Sequence, residues 1–120
     1  MRILHVEDDE DTRTLVAFVL QAEGWHVVSV DSAKAAIDLA AGAAFDLYLL
    51  DNRIGGDTEN ALCRGLRSVD PKTPILFYSG AAFPMDIETA LACGAQAYLT
   101  KPCTPEALVE AIAQLTRYQT

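Results

Sequence analysis

No apolar run in this chain approaches the roughly 18 residues that a membrane-spanning helix needs. Met1-Arg2 leads straight into a short apolar stretch, without the hydrophobic core or cleavage site of a secretory leader. Those absences point to a cytoplasmic protein with no membrane partner. Cysteine is scarce: Cys63, Cys93 and Cys103 are odd in number, and neither a C-x-x-C pair nor a His-Cys cluster occurs. A disulfide framework or zinc site is disfavoured, and the three are read as reduced structural thiols. Basic residues are few, 9 against 17 acidic ones, and the net charge of −8 works against direct DNA binding or adhesion to anionic membrane. No repeat, low-complexity tract or linker divides the 120 residues, so residues 1–120 are expected to form one domain, with no output domain within them.

What the chain has is 51% hydrophobic residues, arranged as short apolar runs alternating with longer segments of helical period. That alternation predicts βα units and a parallel sheet covered on both faces. Strands are expected at residues 2–6, 26–30, 45–50, 74–78 and 96–99. The first helix, near 10–23, should bury Leu15, Val16, Val19 and Leu20 and stop at Gly24. The second is capped by Asp31 or Ser32 and stops at Gly42, and the third runs near 58–68. The fourth begins at Pro84 and ends at Gly94, and the fifth has Thr104 as cap, Pro105 in its first turn and Leu108, Ile112 and Leu115 inward. Right-handed crossovers then favour an α/β fold, a doubly wound five-stranded parallel sheet of flavodoxin-like order 2-1-3-4-5.

Five acidic residues in succession, Glu7-Asp8-Asp9-Glu10-Asp11, follow the first strand. Two unit charges about 4 Å apart at an effective dielectric near 20 repel by roughly 4 kcal/mol. Carboxylates converging at a strand end therefore need a cation, raised pKa values or outward rotamers. Asp9, Glu10 and Asp11 suit a solvated helix N-terminus. Glu7 and Asp8 are different, because Asp51 closes the third strand, Ser79-Gly80 closes the fourth and Lys101-Pro102 follows the fifth. In such sheets ligands bind outside the carboxyl ends of the strands. Hard oxygen ligands suit Mg²⁺ or Mn²⁺, a hydroxyl and an ammonium facing them suit a phosphoryl group, and a carboxylate can be the nucleophile.

Taken in order, Glu7-Asp8, Asp51, Ser79-Gly80, Tyr98 in the fifth strand and Lys101-Pro102 resemble the receiver domain of bacterial two-component response regulators, over essentially the whole chain. The resemblance implies that Asp51 is the phosphoacceptor for a sensor histidine kinase or histidine phosphotransfer protein. It implies Mg²⁺, with Mn²⁺ able to substitute, on Asp8, Asp51 and the backbone carbonyl of Arg53, with Glu7 acting through water. Lys101 and Ser79 would bind phosphoryl oxygens, Tyr98 would turn inward with Ser79, and the Lys101-Pro102 bond would be cis. Output would pass to a downstream protein through the face of the fourth helix, fifth strand and fifth helix, with Phe83, Pro84 and Met85 as anchors and Asp86 and Glu88 on the rim.

The chain departs from the family pattern in two places. Glu7 replaces the commoner Asp, and the loop Asn52-Arg53-Ile54-Gly55-Gly56-Asp57 lacks the usual Pro. The implied protein is a signalling module that catalyses only its own phosphorylation and dephosphorylation. The alternative, a small Asp-dependent phosphatase of haloacid dehalogenase type, needs a second Asp where this chain has Arg53. His5 and His26 are read as strand residues, Trp25 as packing.

Overall fold

The computed structural model describes residues 1–51, 59–80, 88 and 90–117. Arg2–Val6 forms β1, Glu10–Gln21 α1, His26–Val30 β2, Ala33–Gly42 α2, Leu47–Asp51 β3 and Glu59–Val69 α3. Ile75–Ser79 forms β4, Ala97–Thr100 β5 and Pro105–Arg117 α5, and the helical residues 88 and 90–92 belong to α4. Every strand pair is parallel and the sheet order is β2-β1-β3-β4-β5, as the alternation of elements predicts.

Successive strand side chains point to opposite faces, so a sheet covered on both sides needs apolar residues at nearly every position. Leu4, Val6, Tyr48, Leu50 and Phe77 pack with Ala36, Leu62 and Leu66 beneath α2 and α3. Ile3, Leu47, Leu49 and Leu76 pack with Val16, Leu20, Leu108 and Ile112 beneath α1 and α5. Among the described residues no helix is long and apolar enough to cross a membrane.

Local chemistry sets the helix ends. Asp9 caps α1, its carboxylate accepting from the Thr12 N–H at 2.9 Å and the Thr12 hydroxyl at 2.7 Å. Ser32 and Thr104 cap α2 and α5 through the N–H groups of Ala35 and Ala107. At the end of α4 the Ala95 N–H donates to the Ala90 carbonyl (3.2 Å) and the Gly94 N–H to that of Leu91 (3.1 Å). This Schellman arrangement requires the left-handed backbone that Gly94 adopts, with φ of 109°.

Two expectations change. Val16 and Leu20 are buried and Val19 is half-buried, but Leu15 is 63% exposed, as is Phe18 at 70%. At about 100° per residue, packing α1 on the sheet selects the stripe through 16, 19 and 20 and leaves Leu15 outside it. The third strand starts at Leu47 rather than 45. The exposed Asp46 accepts the Arg2 N–H at 2.7 Å and Arg2 also lies over the Phe45 ring, so these two residues form the entry to β3. The expected start of the fourth helix at Pro84 lies outside the described residues.

Candidate functional site at the carboxyl edge of the sheet

Parallel pairing brings four strand ends to one edge. The register Val6↔Leu50 places Glu7 and Asp51 one residue beyond the same pair on adjacent strands. The pairs Asp51↔Tyr78 and Ser79↔Thr100 extend the row to β4 and β5, with Lys101 one residue further. Asp51 is thus placed by its backbone as the last residue of β3. Its side chain, Arg53 with the rest of the 52–57 loop, and Phe83, Pro84, Met85 and Asp86 lie outside the described residues, while Glu88 is exposed.

Glu7 is 3% exposed. Its N–H donates to the Val30 carbonyl at 3.0 Å, and its carboxylate accepts the Asp9 N–H, also at 3.0 Å. Asp8 is exposed beside it. Hydrogen bonds from the Thr12 hydroxyl and amide hold Asp9 below the ordinary carboxylate range, and the charges of Arg13 and Lys101 add to this. Ser79 is 1% exposed, and its carbonyl accepts the Lys101 N–H at 2.8 Å. The Lys101-Pro102 bond is cis, and the Lys101 ammonium lies 4.7 Å from the centroid of the Tyr78 ring. Tyr98 is half-buried and stacked on Phe77, with centroids 5.7 Å apart and an interplanar angle of 18°.

Arg13 belongs to this site although nothing in the sequence reading singled it out. Its guanidinium donates to the Glu7 carbonyl at 3.0 Å and reaches the Asp8 carbonyl at 3.5 Å, tying the loop that carries both carboxylates to α1. A lone basic residue two positions past an acidic block was the available signal. His5 is fully buried with Nδ1 at 3.3 Å from the Ser29 hydroxyl, a strand residue as expected.

The donor set suits a hard divalent cation. Glu7, Asp8 and Asp51 offer carboxylate oxygens, with no thiolate among them, and a carboxylate buried as deeply as Glu7 gains from positive charge nearby. Among the described residues no group of three His, Cys, Asp or Glu side chains gathers; the expected third carboxylate, Asp51, lies outside that set.

Fold and site together define a flavodoxin-like α/β domain whose sheet edge gathers Glu7, Asp8, the Asp51 backbone, Ser79 and Lys101. The model of the response regulator receiver domain family matches residues 3–113, and the chain belongs to that family. The cell cycle response regulator CtrA of Brucella ovis is 33% identical over 117 residues, covering 98% of this chain and 50% of the relative. The chain therefore spans about half the length of the curated relatives it matches. The chemotaxis protein CheY4 of Vibrio cholerae superposes with a TM-score of 0.88 at 28% identity, over 95% of this chain and 97% of that one. The receiver domain of the sensor histidine kinase PA1611 of Pseudomonas aeruginosa, with magnesium coordinated in its active-site cleft, gives 0.88 at 25% identity, over 97% of both chains. Receiver domains are signalling modules rather than metabolic enzymes, and nothing in these matches supports the haloacid dehalogenase-type alternative.

Proposed function

We propose that Asp51 takes a phosphoryl group from a phosphohistidine of a sensor histidine kinase or histidine phosphotransfer protein in a Mg²⁺-dependent reaction. The observation that carries this reading is the convergence of Glu7, Asp8, the Asp51 backbone, Ser79 and Lys101 on one sheet edge, with Glu7 and Ser79 buried there. A carboxylate oxygen of Asp51 forms the new P–O bond as the N–P bond to histidine breaks. Asp8, Asp51 and the Arg53 backbone carbonyl would hold Mg²⁺, with Glu7 acting through water, and Mn²⁺ would substitute. When bound, the cation neutralises charge on the transferring phosphoryl oxygens. The magnesium in the PA1611 receiver domain supports the same ion here.

Lys101 and Ser79 bind phosphoryl oxygens of the product. Ser79, drawn to the phosphate, lets Tyr98 move inward, so phosphorylation shifts a population toward one arrangement of α4, β5 and α5. That face passes the signal to a downstream protein rather than to DNA, in keeping with the net charge of −8. Residues 1–120 act as one receiver domain in the cytoplasm.

Incubation with acetyl phosphate and Mg²⁺ followed by mass spectrometry tests the assignment. An acyl phosphate on Asp51, lost in Asp51→Asn and weakened in its effect by Lys101→Ala, is the expected result. A label on Asp8 or Asp57 instead overturns it.

A further inference from the structure

Cys63 and Cys93 are distant in sequence yet share one contact. Cys63 lies in α3 and is fully buried; Cys93 follows the last helical residue of α4 and is half-buried. The Cys63 thiol donates to the carbonyl of Cys93 at 3.3 Å, and the guanidinium of Arg64, the residue beside Cys63, donates to the Cys93 sulfur at 3.4 Å. Partly exposed, the Cys93 sulfur is reachable by a small oxidant, and the buried Cys63 thiol sits against the backbone of the same residue. Cys103 is placed differently. It packs on the α1/α5 side of the sheet, whereas Cys63 and Cys93 lie on the opposite face, and its thiol donates to the Tyr78 hydroxyl at 3.5 Å.

We propose that Cys63 and Cys93 form an oxidant-responsive thiol pair whose co-substrate is hydrogen peroxide or another small hydroperoxide. The Cys93 sulfur attacks one peroxide oxygen, the O–O bond breaks, and Cys93 becomes a sulfenic acid while the other oxygen leaves as water. The Cys63 sulfur then displaces the sulfenic hydroxyl, which departs with the Cys63 proton as a second water. Two thiols have given up two electrons and two protons, and one peroxide has become two waters. The order of events follows from position: Cys93 is partly exposed and meets the oxidant first, whereas Cys63 is fully buried, its thiol pushed up to about 11 by that burial, and so resolves the product. The resulting disulfide joins α3 to the end of α4, immediately before the strand that carries Tyr98. This inference is independent of the phosphoryl-transfer reading.

The full chain is treated with hydrogen peroxide, remaining thiols are alkylated after denaturation, and intact mass is followed by fragmentation. The expected product is a monomer lighter by two hydrogen masses, alkylated once, at Cys103, with a Cys63–Cys93 link that a reductant reverses. Cys103→Ser should keep the link and Cys93→Ser should lose it. Because Cys63 is a core residue, the peptide map of the unsubstituted chain carries the decision. Three alkylatable thiols after oxidation, a link through Cys103, or sulfinic acid on Cys93 with Cys63 still free would each overturn the proposal.

Discussion

At the amino edge of the sheet Asp70 accepts four hydrogen bonds, from the Tyr48 hydroxyl (2.7 Å), the Thr73 hydroxyl and the amides of Lys72 (3.0 Å) and Thr73 (3.2 Å). Beside it, Arg67 directs its N–H groups to the carbonyls of Gly94, Asp70 and Thr73 and to the Gln96 amide oxygen. At the carboxyl edge the acidic residues are gathered instead, with Glu7, Asp8 and Asp51 on adjacent strand ends and Lys101 arriving from β5. One edge pairs each charge with donors or acceptors supplied by the fold itself. The other gathers an excess of carboxylates, the edge at which a cation and a phosphoryl group are proposed to bind. On the proposed function, the difference separates polar groups that hold this domain together from polar groups that let it respond.

Substitutions should divide along that line. Arg67→Ala strands the Gly94 and Thr73 carbonyls and should lower unfolding free energy by about 3 kcal/mol, while leaving Mg²⁺-induced stabilisation intact. Denaturant melts with and without Mg²⁺ check both halves. Tyr48→Phe keeps the packing of a fully buried ring and removes one donor from Asp70, for a loss of about 2 kcal/mol. Burial, and then the hydrogen bond to Asp70 and its charge, keep the Tyr48 hydroxyl protonated well above its ordinary value of 10, so that loss should be constant through neutral pH.

The carboxyl edge should behave in the opposite way. With a Kd of about 1 mM, 10 mM Mg²⁺ should stabilise the domain by roughly 1.4 kcal/mol. Asp8→Asn should abolish most of that shift in thermal melts without lowering stability in the absence of the ion. An unchanged Mg²⁺ response in this variant would erase the distinction between the edges.

The smallest effect concerns acid. Partial burial works to raise the pKa of Asp70, but hydrogen bonds from Thr73, Tyr48 and Lys72 outweigh it and bring the carboxyl to about 2, from an ordinary 3.8. Its stabilisation is complete above that ordinary value and is lost as pH falls toward and through about 2. For a group this open to solvent the contribution is about 1 kcal/mol. Asp70→Asn should flatten that segment of the stability profile measured by urea melts between neutral pH and acid, whereas Asp9→Asn, whose carboxyl is fully exposed, should change it less.

Much of the candidate site was legible because its residues sit at strand ends, and apolar runs mark strand ends in a one-dimensional string. Glu7-Asp8, Asp51, Ser79 and Lys101 each close such a run, and the parallel order of the sheet then requires that they share an edge. Arg13 was not legible, since its role depends on a guanidinium reaching back to the Glu7 carbonyl across a turn of α1. The Arg67 network was equally hidden: its acceptors are backbone carbonyls, which every residue has and no sequence pattern distinguishes.

By itself the sequence determined what depends on neighbours a few positions away: the number and order of the strands, a helix N-terminus in the acidic block, a cap at Asp31 or Ser32 and another at Thr104, the stop at Gly94, and which strand end bears which chemistry. Tertiary structure decided what depends on the direction a surface faces. Packing α1 on the sheet chose Val16 over Leu15 for the core, although the two are adjacent and similarly apolar. Folding α3 against the end of α4 brought Cys63 to Cys93 and Arg67 to Gly94. Local propensities act through short-range sterics and hydrogen bonds, whereas these choices follow from burying apolar area between whole elements, a quantity that exists only once the layers have met.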